Sequence, residues 1–415
     1  MFILKSRYII DGVKEKAMEN GIIVVKGEKI EFVGEDSSFK GNRRGAEVID
    51  FEEKTIMPGM MDAHVHPSFN GEPDFWDIVL TKTDPYRTVK ALVNLQNDLI
   101  AGFTTIRALG EKSDIDIALR EAIDQGLVKG PRMVCAGKNI TVTGGHTDLN
   151  FVPDIKNEQG LGGVTVDGTE EMQKAVRAQI KAGADLIKLM VTGGVTSKGS
   201  GPTTQYMSEE EISAAVKEAH NLGKKVTVHA QGAGGIKSSV LAGVDCIEHG
   251  YYLDREIASL MAEKGVFYVP TWKAGSSILK EEIKAQLPDY ILEKAEKIKE
   301  VSLDSFRYAI EENVSIVAGT DVGCPFNHHG ENAQELELMV KAGLSEIEAI
   351  KTATKNAAVC FGVEEFTGTL ETGKFADIIC VDGNPLKDIK ACQKVTFVMK
   401  NGEVVVNNGK SVLPL

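Results

Sequence analysis

The chain is short of positive charge for its length of 415 residues. Its 47 lysines and arginines stand against 60 aspartates and glutamates, which gives a formal net charge of -13. Binding to nucleic acid or to an anionic membrane surface depends on lysine and arginine side chains that neutralise phosphate. The composition therefore argues against both kinds of partner and leaves a small-molecule substrate open.

The sequence also lacks an apolar run long enough to cross a bilayer. At its start, MFILKSRYIIDG, Lys5 and Arg7 interrupt the segment before the apolar region of a signal peptide could form. From these two features we expect a cytoplasmic protein that does not associate with membranes.

Cysteine is sparse, and no two cysteines form a C-x-x-C pair. The six cysteines are Cys135, Cys246, Cys324, Cys360, Cys380 and Cys392. Scattered cysteines argue against a disulfide framework and against a zinc ribbon. We expect most of them to be small core residues.

Strand patterns are present at both ends of the chain. From Met1 to about Ile56, short β-rich segments alternate with Gly and Asp turns, which is typical of an antiparallel sheet. A similar pattern returns in ADIICVDG and VTFVMKNGEVVVNNGK, where Asn401-Gly402 is a strong hairpin signal. The pattern predicts a small β-sandwich domain composed of residues 1–57 and 363–415.

Between the two ends, apolar runs alternate with helical patterns. The eight runs are GMMDAHVH, FTTIRAL, RMVCAG, DLIKLMV, KVTVHA, VDCIEHG, VFYVPT and SIVAGTD. Capping boxes at Ser208 with Glu211 and at Ser345 with Glu348 mark two helix starts. This alternation predicts an α/β fold, a (β/α)8 TIM barrel over residues 58–362.

Polar residues that can bind a metal lie at the ends of these runs. His64 and His66 are two positions apart, so both side chains point to the same side of a strand. The other candidates at strand ends or within a strand are Lys188, His229, His249 and Asp321. Because active sites of barrels lie at the carboxyl ends of the strands, we expect these six residues to converge. Their nitrogen and oxygen donors suit Zn²⁺ or a similar divalent ion.

Lys188 is a charged residue within the otherwise apolar run ADLIKLMVTGG. An unpaired ammonium is costly in a buried strand, so burial and cationic neighbours favour the neutral amine. A neutral amine can add CO₂, and the resulting carbamate has two oxygens that can bridge two metal ions.

The chain resembles the metal-dependent amidohydrolase superfamily, in the binuclear subgroup that has a carboxylated lysine. The resemblance covers nearly the whole chain and rests on the six candidate ligands and on several segments. The segments are PGMMDAHVH, TVTGGHTD, GADLIKLMVTGGV, HHGENAQELELMVKAG and FADIICVDGNPL. Within the superfamily, these segments are similar to imidazolonepropionase-like proteins and to Xaa-Pro dipeptidases or related metallo-carboxypeptidases. Imidazolonepropionases bind one metal and lack the bridging lysine, so Lys188 argues against that particular activity.

The resemblance implies a site with two divalent ions, for which Zn²⁺ is the expected metal. His64, His66 and Asp321 would bind one ion, and His229 and His249 the other. Lys188, carboxylated on its amine, would bridge the two. A hydroxide held between the ions would be the nucleophile, and Asp321 would move its proton to the leaving nitrogen.

Three further residues are predicted to contact the substrate. His146, in TGGHTD, is implied by the resemblance to stabilise the oxyanion. Tyr206, in TTQYMSEEE, could bind a substrate carboxylate or could be an apolar residue at the helix start. His329 follows the eighth run in a loop that could line the pocket. The resemblance also suggests a homo-oligomer.

The leading hypothesis is a binuclear metallohydrolase that cleaves an amide bond of a dipeptide or an N-acyl amino acid. A cyclic amide, an ester or a lactone is an alternative substrate for the same site. Lys188 could instead form an imine in a Schiff-base enzyme, but the histidines and Asp321 would then have no role. A non-catalytic scaffold is a third possibility, against which stands the complete set of ligands.

Overall fold

The computed structural model describes residues 1–148, 163–284 and 286–413, without the side chains of residues 75 and 281. The strands in chain order are β1 (Phe2–Ile9), β2 (Met18–Lys26), β3 (Lys29–Glu35), β4 (Glu47–Asp50), β5 (Thr55–Pro58), β6 (Met60–Val65), β7 (Phe103–Ala108), β8 (Arg132–Cys135), β9 (Ile140–Thr141), β10 (Val164–Thr165), β11 (Leu186–Met190), β12 (Lys225–Ala230), β13 (Cys246–His249), β14 (Phe267–Val269), β15 (Ile378–Val381), β16 (Val395–Lys400), β17 (Glu403–Asn407) and β18 (Lys410–Ser411). The helices are α1 (Phe75–Thr81), α2 (Asp84–Ile100), α3 (Ile115–Asp124), α4 (Gly168–Ala182), α5 (Glu209–Asn221), α6 (Ala233–Ala242), α7 (Arg255–Lys264), α8 (Trp272–Ile278), α9 (Glu281–Lys284), α10 (Asp289–Glu311), α11 (Gln334–Lys341), α12 (Glu346–Thr352) and α13 (Lys355–Phe361).

The strands from both ends of the chain form one hydrogen-bonded sheet, here called the terminal sheet. Its order is β18-β17-β16-β15-β5-β1-β2-β3, with β4 paired to β1. The expectation of a purely antiparallel sheet is wrong at one place, because β1 pairs in parallel with both β4 and β5. The chain leaves β3 at the sheet edge and returns through residues 36–46, so β4 runs in the same direction as β1. The domain boundaries at residues 57 and 363 stay a prediction.

The hairpin signal Asn401-Gly402 is confirmed, since it connects the antiparallel strands β16 and β17. Both residues have positive φ, 49° and 74°, as the tight turn of a two-residue hairpin requires. A Cβ at Gly402 would lie 2.0 Å from the carbonyl oxygen of Gly27, so this position also needs the missing side chain.

Between these strands, parallel strands alternate with helices in what we call the α/β body, residues 60–361. One sheet has the order β6-β7-β8 and another the order β10-β9-β11-β12-β13-β14. Asp185 N, next to β11, donates to Cys135 O of β8 over 2.7 Å, which connects the two sheets, and Ala63 N of β6 donates to Ala318 O of the apolar run SIVAGTD over 2.9 Å. Buried residues between the strands and the helices form the largest apolar core.

The eighth apolar run, SIVAGTD, contributes one parallel bridge between Tyr268 and Ile316 rather than a regular strand. Its backbone N–H groups donate to two different elements: Val317 N donates to Tyr268 O of β14, and Ala318 N donates to Thr352 O at the end of α12. The run nevertheless lies between β14 and β6 and brings Asp321 beside His64.

Local signals are confirmed at two helix starts. Ser208 with Glu211 begins α5, and Ser345 with Glu348 begins α12, each as a reciprocal capping box. All six cysteines are free thiols, and five of them are buried, as expected; Cys324 is the partly exposed one. Among the described residues no helix is both long and apolar enough to cross a membrane.

Candidate metal centre and substrate cavity

The carboxyl ends of the parallel strands open into one cavity of about 1220 Å³, which includes space open to solvent. Seven of the nine residues singled out as site residues line this cavity. They are His64, His66, His146, Lys188, His229, His249 and Asp321. The structure thus brings together residues that are spread over most of the chain.

His64, His66 and Asp321 form the tightest group of potential ligands. The Nε2 atoms of His64 and His66 lie 3.5 and 3.1 Å from the same oxygen of Asp321, Oδ1. One ligand atom from each residue lies within 4.8 Å of the others. Strand β6 presents both histidines on one side, and Asp321 N donates to His64 O over 2.7 Å, which places the carboxylate beside them.

Three further imidazoles continue from this group along the cavity wall. The ring centroid of His249 lies 5.0 Å from that of His64 and 4.4 Å from that of His229. The ring of His146 stacks on His229 with a centroid distance of 4.4 Å. Because β12 and β13 are adjacent parallel strands, His229 and His249 reach the same cavity from neighbouring strand ends.

Three of the four candidate ligand histidines have one ring nitrogen committed to a protein partner. His64 Nδ1 lies 2.8 Å from Glu248 Oε2, His249 Nδ1 lies 2.8 Å from Thr271 Oγ1, and His229 Nε2 lies 3.2 Å from Gly193 O. Partners of this kind fix the tautomer and the ring orientation. They leave the opposite nitrogen of each ring for a ligand.

Burial keeps the imidazoles of His64, His229 and His249 neutral. It lowers the pKa of His249 to about 3 and holds the pKa values of His64 and His229 well below the ordinary value. Burial alone would raise the pKa of Asp321, but His64 and His66 outweigh it and hold that pKa well below the ordinary value. At neutral pH, His64, His229 and His249 therefore offer neutral nitrogen donors, and Asp321 offers an ionised carboxylate.

Lys188 lies on β11 with its side chain in the cavity wall and 1% of its surface exposed. Its Nζ is buried and has no hydrogen-bond partner among the described residues. Burial lowers its pKa to about 8, although Glu248 and Asp321 act in the opposite direction. A buried lysine without a partner is costly, so its place on a strand otherwise made of apolar residues calls for a chemical role.

The residues present fit a pair of divalent ions. Two imidazoles and a carboxylate on one side, two imidazoles on the other, and an unpaired amine in the same wall make a set of nitrogen and oxygen donors. Imidazole and carboxylate are the ligands that Zn²⁺ binds in catalytic sites.

A buried ion pair that the sequence reasoning missed lies beneath these ligands. Glu248 Oε1 accepts a hydrogen bond from Arg107 Nη2 over 2.6 Å, while its Oε2 accepts from His64 Nδ1. Arg107 Nε also donates to Ala63 O over 2.8 Å, and Thr227 Oγ1 donates to Glu248. Burial alone would lower the pKa of Arg107, but Glu248 raises it. The sequence does contain a signal for this pair, because Arg107 and Glu248, like Lys188, are charged residues within apolar runs.

Backbone strain is concentrated at the strand ends of this site. His249, Thr271 and Asp321 have φ of 71°, 52° and 56°, in the left-handed region that residues other than glycine rarely adopt. Such conformations cluster at functional sites. At His249 the unusual φ ends the strand alternation, so that the consecutive residues Glu248 and His249 both reach the surroundings of His64.

His146 lines the cavity, at the end of the TGGH loop. Its Nδ1 lies 2.6 Å from Ser197 Oγ, and that oxygen accepts from Gly194 N. With the oxygen already accepting, the serine hydrogen can be donated to Nδ1, which places the imidazole proton on Nε2. Burial lowers the pKa of His146 to about 4, so the ring is neutral.

The structure does not bring Tyr206 and His329 to the cavity. Tyr206 is half-buried against the apolar core near the start of α5. This position agrees with an apolar residue at the helix start rather than with a residue that binds a substrate carboxylate. His329 is buried behind His66: its Nδ1 lies 2.7 Å from Asp98 Oδ2 and its Nε2 donates to His66 O over 3.3 Å. Burial alone would lower the pKa of His329, but Asp98 raises it, as a ring that donates from both nitrogens requires.

The sequence profile of the amidohydrolase family matches residues 55–405. The chain therefore belongs to the amidohydrolase family and is a hydrolase that acts on C–N bonds. Enzymes of this family act on small molecules and are generally metal-dependent, which agrees with the cluster of His64, His66 and Asp321.

Among characterised relatives, the chain is similar to ochratoxinase from Aspergillus niger, with 31% identity over 420 residues that cover 94% of this chain and 84% of that protein. Among solved structures, it is similar to a Xaa-Pro dipeptidase with methionine bound in the active site, with a TM-score of 0.89, 36% identity and coverage of 97% and 99% of the two chains. A prolidase in complex with N-methylphosphonate-L-proline gives a TM-score of 0.89, 30% identity and coverage of 98% and 99%. These neighbours imply a TIM-barrel-like fold for this chain.

Proposed function

We propose that this protein is a binuclear metal-dependent hydrolase that cleaves the amide bond of a dipeptide or an N-acyl amino acid. The observation that carries the proposal is Lys188, whose amine is buried without a partner among the described residues in a wall shared with the candidate ligands. The names of the similar proteins, ochratoxinase, Xaa-Pro dipeptidase and prolidase, support hydrolysis of an amide.

We also propose that the α/β body is a (β/α)8 barrel and that the terminal sheet is a separate β-sandwich domain. The support for the barrel is the parallel pairing of successive strands and the backbone bonds that connect β8 to β11 and the segment around Ile316 to β14 and β6. In such a barrel the carboxyl ends of the strands carry the active site.

In the proposed site, His64, His66 and Asp321 would hold one ion, and His229 and His249 would hold the second. Lys188 would join this set after its neutral amine has added CO₂: a bond would form between Nζ and the carbon, one C=O π bond of CO₂ would open, and one proton of the nitrogen would leave to solvent. The carbamate would then carry the negative charge that offsets the cations. When bound, two Zn²⁺ ions would lower the pKa of a water molecule and polarise the carbonyl of the amide.

The chain's own groups would then move the protons. Asp321 accepts a proton from the attacking water on its carboxylate and donates it to the leaving nitrogen, so that the amine departs neutral. His146 donates a hydrogen bond from Nε2 to the carbonyl oxygen as negative charge develops there, and Ser197 holds the ring in that tautomer.

The test combines metal analysis with a hydrolysis screen of dipeptide and N-acyl amino acid libraries, using protein prepared with zinc and bicarbonate. We expect about two ions per chain and an activity that chelation removes. Lys188→Met should lose both the bound metal and the activity. Lys217→Met, at an exposed position of α5, is the control and should match the unmodified protein. A protein that holds no metal and cleaves no amide would contradict the proposal. Borohydride trapping of a carbonyl compound on Lys188 would instead support the Schiff-base alternative.

A further inference from the structure

A second cation without hydrogen bonds lies in the wall of the same cavity. Arg87, in the first turn of α2, lines the cavity with 1% of its surface exposed. Its guanidinium carbon lies 5.5 Å from the centre of the Phe69 ring, another residue of the cavity wall. Arginine is rarely buried so completely unless it is paired.

Arg87 has two carboxylates at ion-pair distance, but its side chain makes no hydrogen bond in the described part of the chain. Its Nε and Nη1 are buried without a hydrogen-bond partner. Its Nη2 lies 3.7 Å from Glu111 Oε2, and Nη1 lies 3.9 Å from Asp84 Oδ1, and both distances exceed hydrogen-bonding range. The carboxylate of Glu111 is already engaged, because it accepts from the backbone N and the hydroxyl of Ser68.

The charges that line the cavity favour an anionic ligand. Lys112 and Arg87 belong to the wall, whereas Asp321 is the one carboxylate there among the described lining residues, and it faces the candidate ligands His64 and His66. Lys112 already has a partner, since its Nζ lies 3.2 Å from Asp84 Oδ1. The guanidinium of Arg87 is thus the cation of this wall region with unsatisfied donors.

We propose that Arg87 binds the free carboxylate of the substrate and so selects amides that carry one. This inference rests on the proposed function and makes it narrower. A guanidinium presents parallel N–H donors that match the two oxygens of a carboxylate, and such charge-assisted pairs are strong where water is excluded. Cyclic amides, esters and lactones without a carboxylate leave the guanidinium donors without a hydrogen bond, and the site discriminates against them for that reason.

The test uses a ligand that the enzyme cannot cleave: N-methylphosphonyl-L-phenylalanine and its C-terminal carboxamide, bound to the zinc-loaded protein. The phosphonyl group occupies the metal end in both compounds, so the difference between them reports on the partner of the carboxylate. Calorimetry should give at least about 30-fold tighter binding of the acid, as expected for a charge-assisted hydrogen-bond pair. In Arg87→Met the preference should fall below about threefold, and in Arg87→Lys it should be intermediate.

Lys112→Met is the matched control, because it removes a cation of the same wall that is already paired. It should keep the preference for the acid within about threefold of the unmodified protein. Equal weakening of acid and carboxamide in Arg87→Met would show a structural role and overturn the proposal. If only Lys112→Met lost the preference for the acid over the carboxamide, the proposal would also be overturned. If Arg87→Met does not fold, as judged by circular dichroism, Arg87→Lys carries the test.

Failure of this inference is distinguishable from failure of the proposed function. Neither compound binding to the zinc-loaded protein would overturn the role of Arg87, while the hydrolysis screen would still report on the activity. Hydrolysis of amides without any preference for a free carboxylate would also leave the proposed function standing and remove the role of Arg87.

Discussion

At the scale of single residues, buried charges determine how the cavity is constructed. Arg107 and Glu248 satisfy each other beneath His64, whereas Lys188 and Arg87 have unsatisfied nitrogen donors among the described residues. A hydrogen-bonded buried charge positions its neighbours, and a buried cation whose donors make no hydrogen bond is costly until a ligand or a chemical modification satisfies them. The first pair therefore orients His64, a proposed metal ligand, and the donors of the other two cations are left for groups that come from outside the chain.

Glu248→Gln tests the orienting role of the buried pair. With its amide oxygen toward Arg107, the glutamine NH₂ faces His64 Nδ1, which must then accept a hydrogen bond. The imidazole proton moves to Nε2, the nitrogen that faces Asp321. We expect metal affinity to fall about 10- to 100-fold, as is typical when such a partner is lost. Competition with a chelator measures it, and an unchanged affinity would contradict this role.

Asp116 predicts a pH dependence of stability outside the site. Burial, with a contribution from Glu111, raises its pKa from 3.8 to about 7, and its Oδ2 accepts from Gly137 N over 2.9 Å. The folded state thus binds the proton more tightly than the unfolded state. The contribution of this group is complete below pH 3.8 and is lost as pH rises to about 7, with a slope of at most about 1.4 kcal/mol per pH unit.

Urea denaturation of the metal-free protein across this pH range, compared with Asp116→Asn, isolates that slope. The free energy of unfolding of the unmodified protein should fall steadily relative to that of Asp116→Asn between pH 4 and 7, and the two should change in parallel above pH 7. Parallel curves throughout would show that Asp116 is ionised in the folded protein.

Sequence reasoning at this scale identified the residues that reach the cavity from strand ends, because strand geometry restricts where they point. It did not identify Glu248 and Arg107, although the argument applied to Lys188 holds for any charge in an apolar strand. Pairing could not be deduced, since Arg107 meets Glu248 only through the lateral order of distant strands. The roles of the proposed ligands stay predictions until metal is measured.

At the scale of elements, local signals were the most reliable. Capping boxes and the Asn401-Gly402 turn depend on residues within a few positions of each other, and the structure has all of them. Tyr206 and His329 lie in connecting segments, whose course depends on packing against distant parts of the chain. For His329 the deciding contact is Asp98 of α2, which no local pattern indicates.

The turn between β16 and β17 gives a prediction at this scale. Gly402→Ala should be more destabilising than Gly409→Ala, although the two glycines have similar φ, 74° and 72°. A Cβ at Gly409 meets nothing within 4 Å, whereas at Gly402 it meets the backbone of Gly27. We expect about 1–2 kcal/mol for Gly409→Ala, from the left-handed backbone alone, and clearly more for Gly402→Ala. Urea denaturation measures both, and equal losses would mean that the turn moves to accommodate the methyl group.

At the scale of the whole molecule, the terminal sheet connects the two ends of the chain. The rings of Phe51 and Phe397 lie 5.0 Å apart in a separate apolar core, and Phe397 is fully buried. The α/β body is attached to this sheet, since Arg132 Nη2 donates to Asp377 Oδ2 over 3.0 Å. These contacts predict that the sheet and the body unfold together.

Phe397→Ala tests that coupling. The cavity left in the small core should lower the free energy of unfolding by about 3–5 kcal/mol. Far-ultraviolet circular dichroism reports on the whole chain, and the fluorescence of Trp76 and Trp272 reports on the α/β body; both transitions should shift together. Val412→Ala, at a position 56% exposed, is the control and should shift neither. A shift seen by dichroism alone would show that the two parts unfold independently.

The pairing of Thr55–Pro58 with Ile378–Val381 also affects how the chain folds during synthesis on the ribosome. Strand β5 is synthesised early, and its partner β15 is translated more than three hundred residues later. Translation of the intervening chain takes roughly 15–65 s at typical elongation rates. During that interval the nascent chain exposes an unpaired strand edge, a template for association with other chains. We therefore expect folding yield in cells to depend on chaperones that shield this edge until translation is nearly complete.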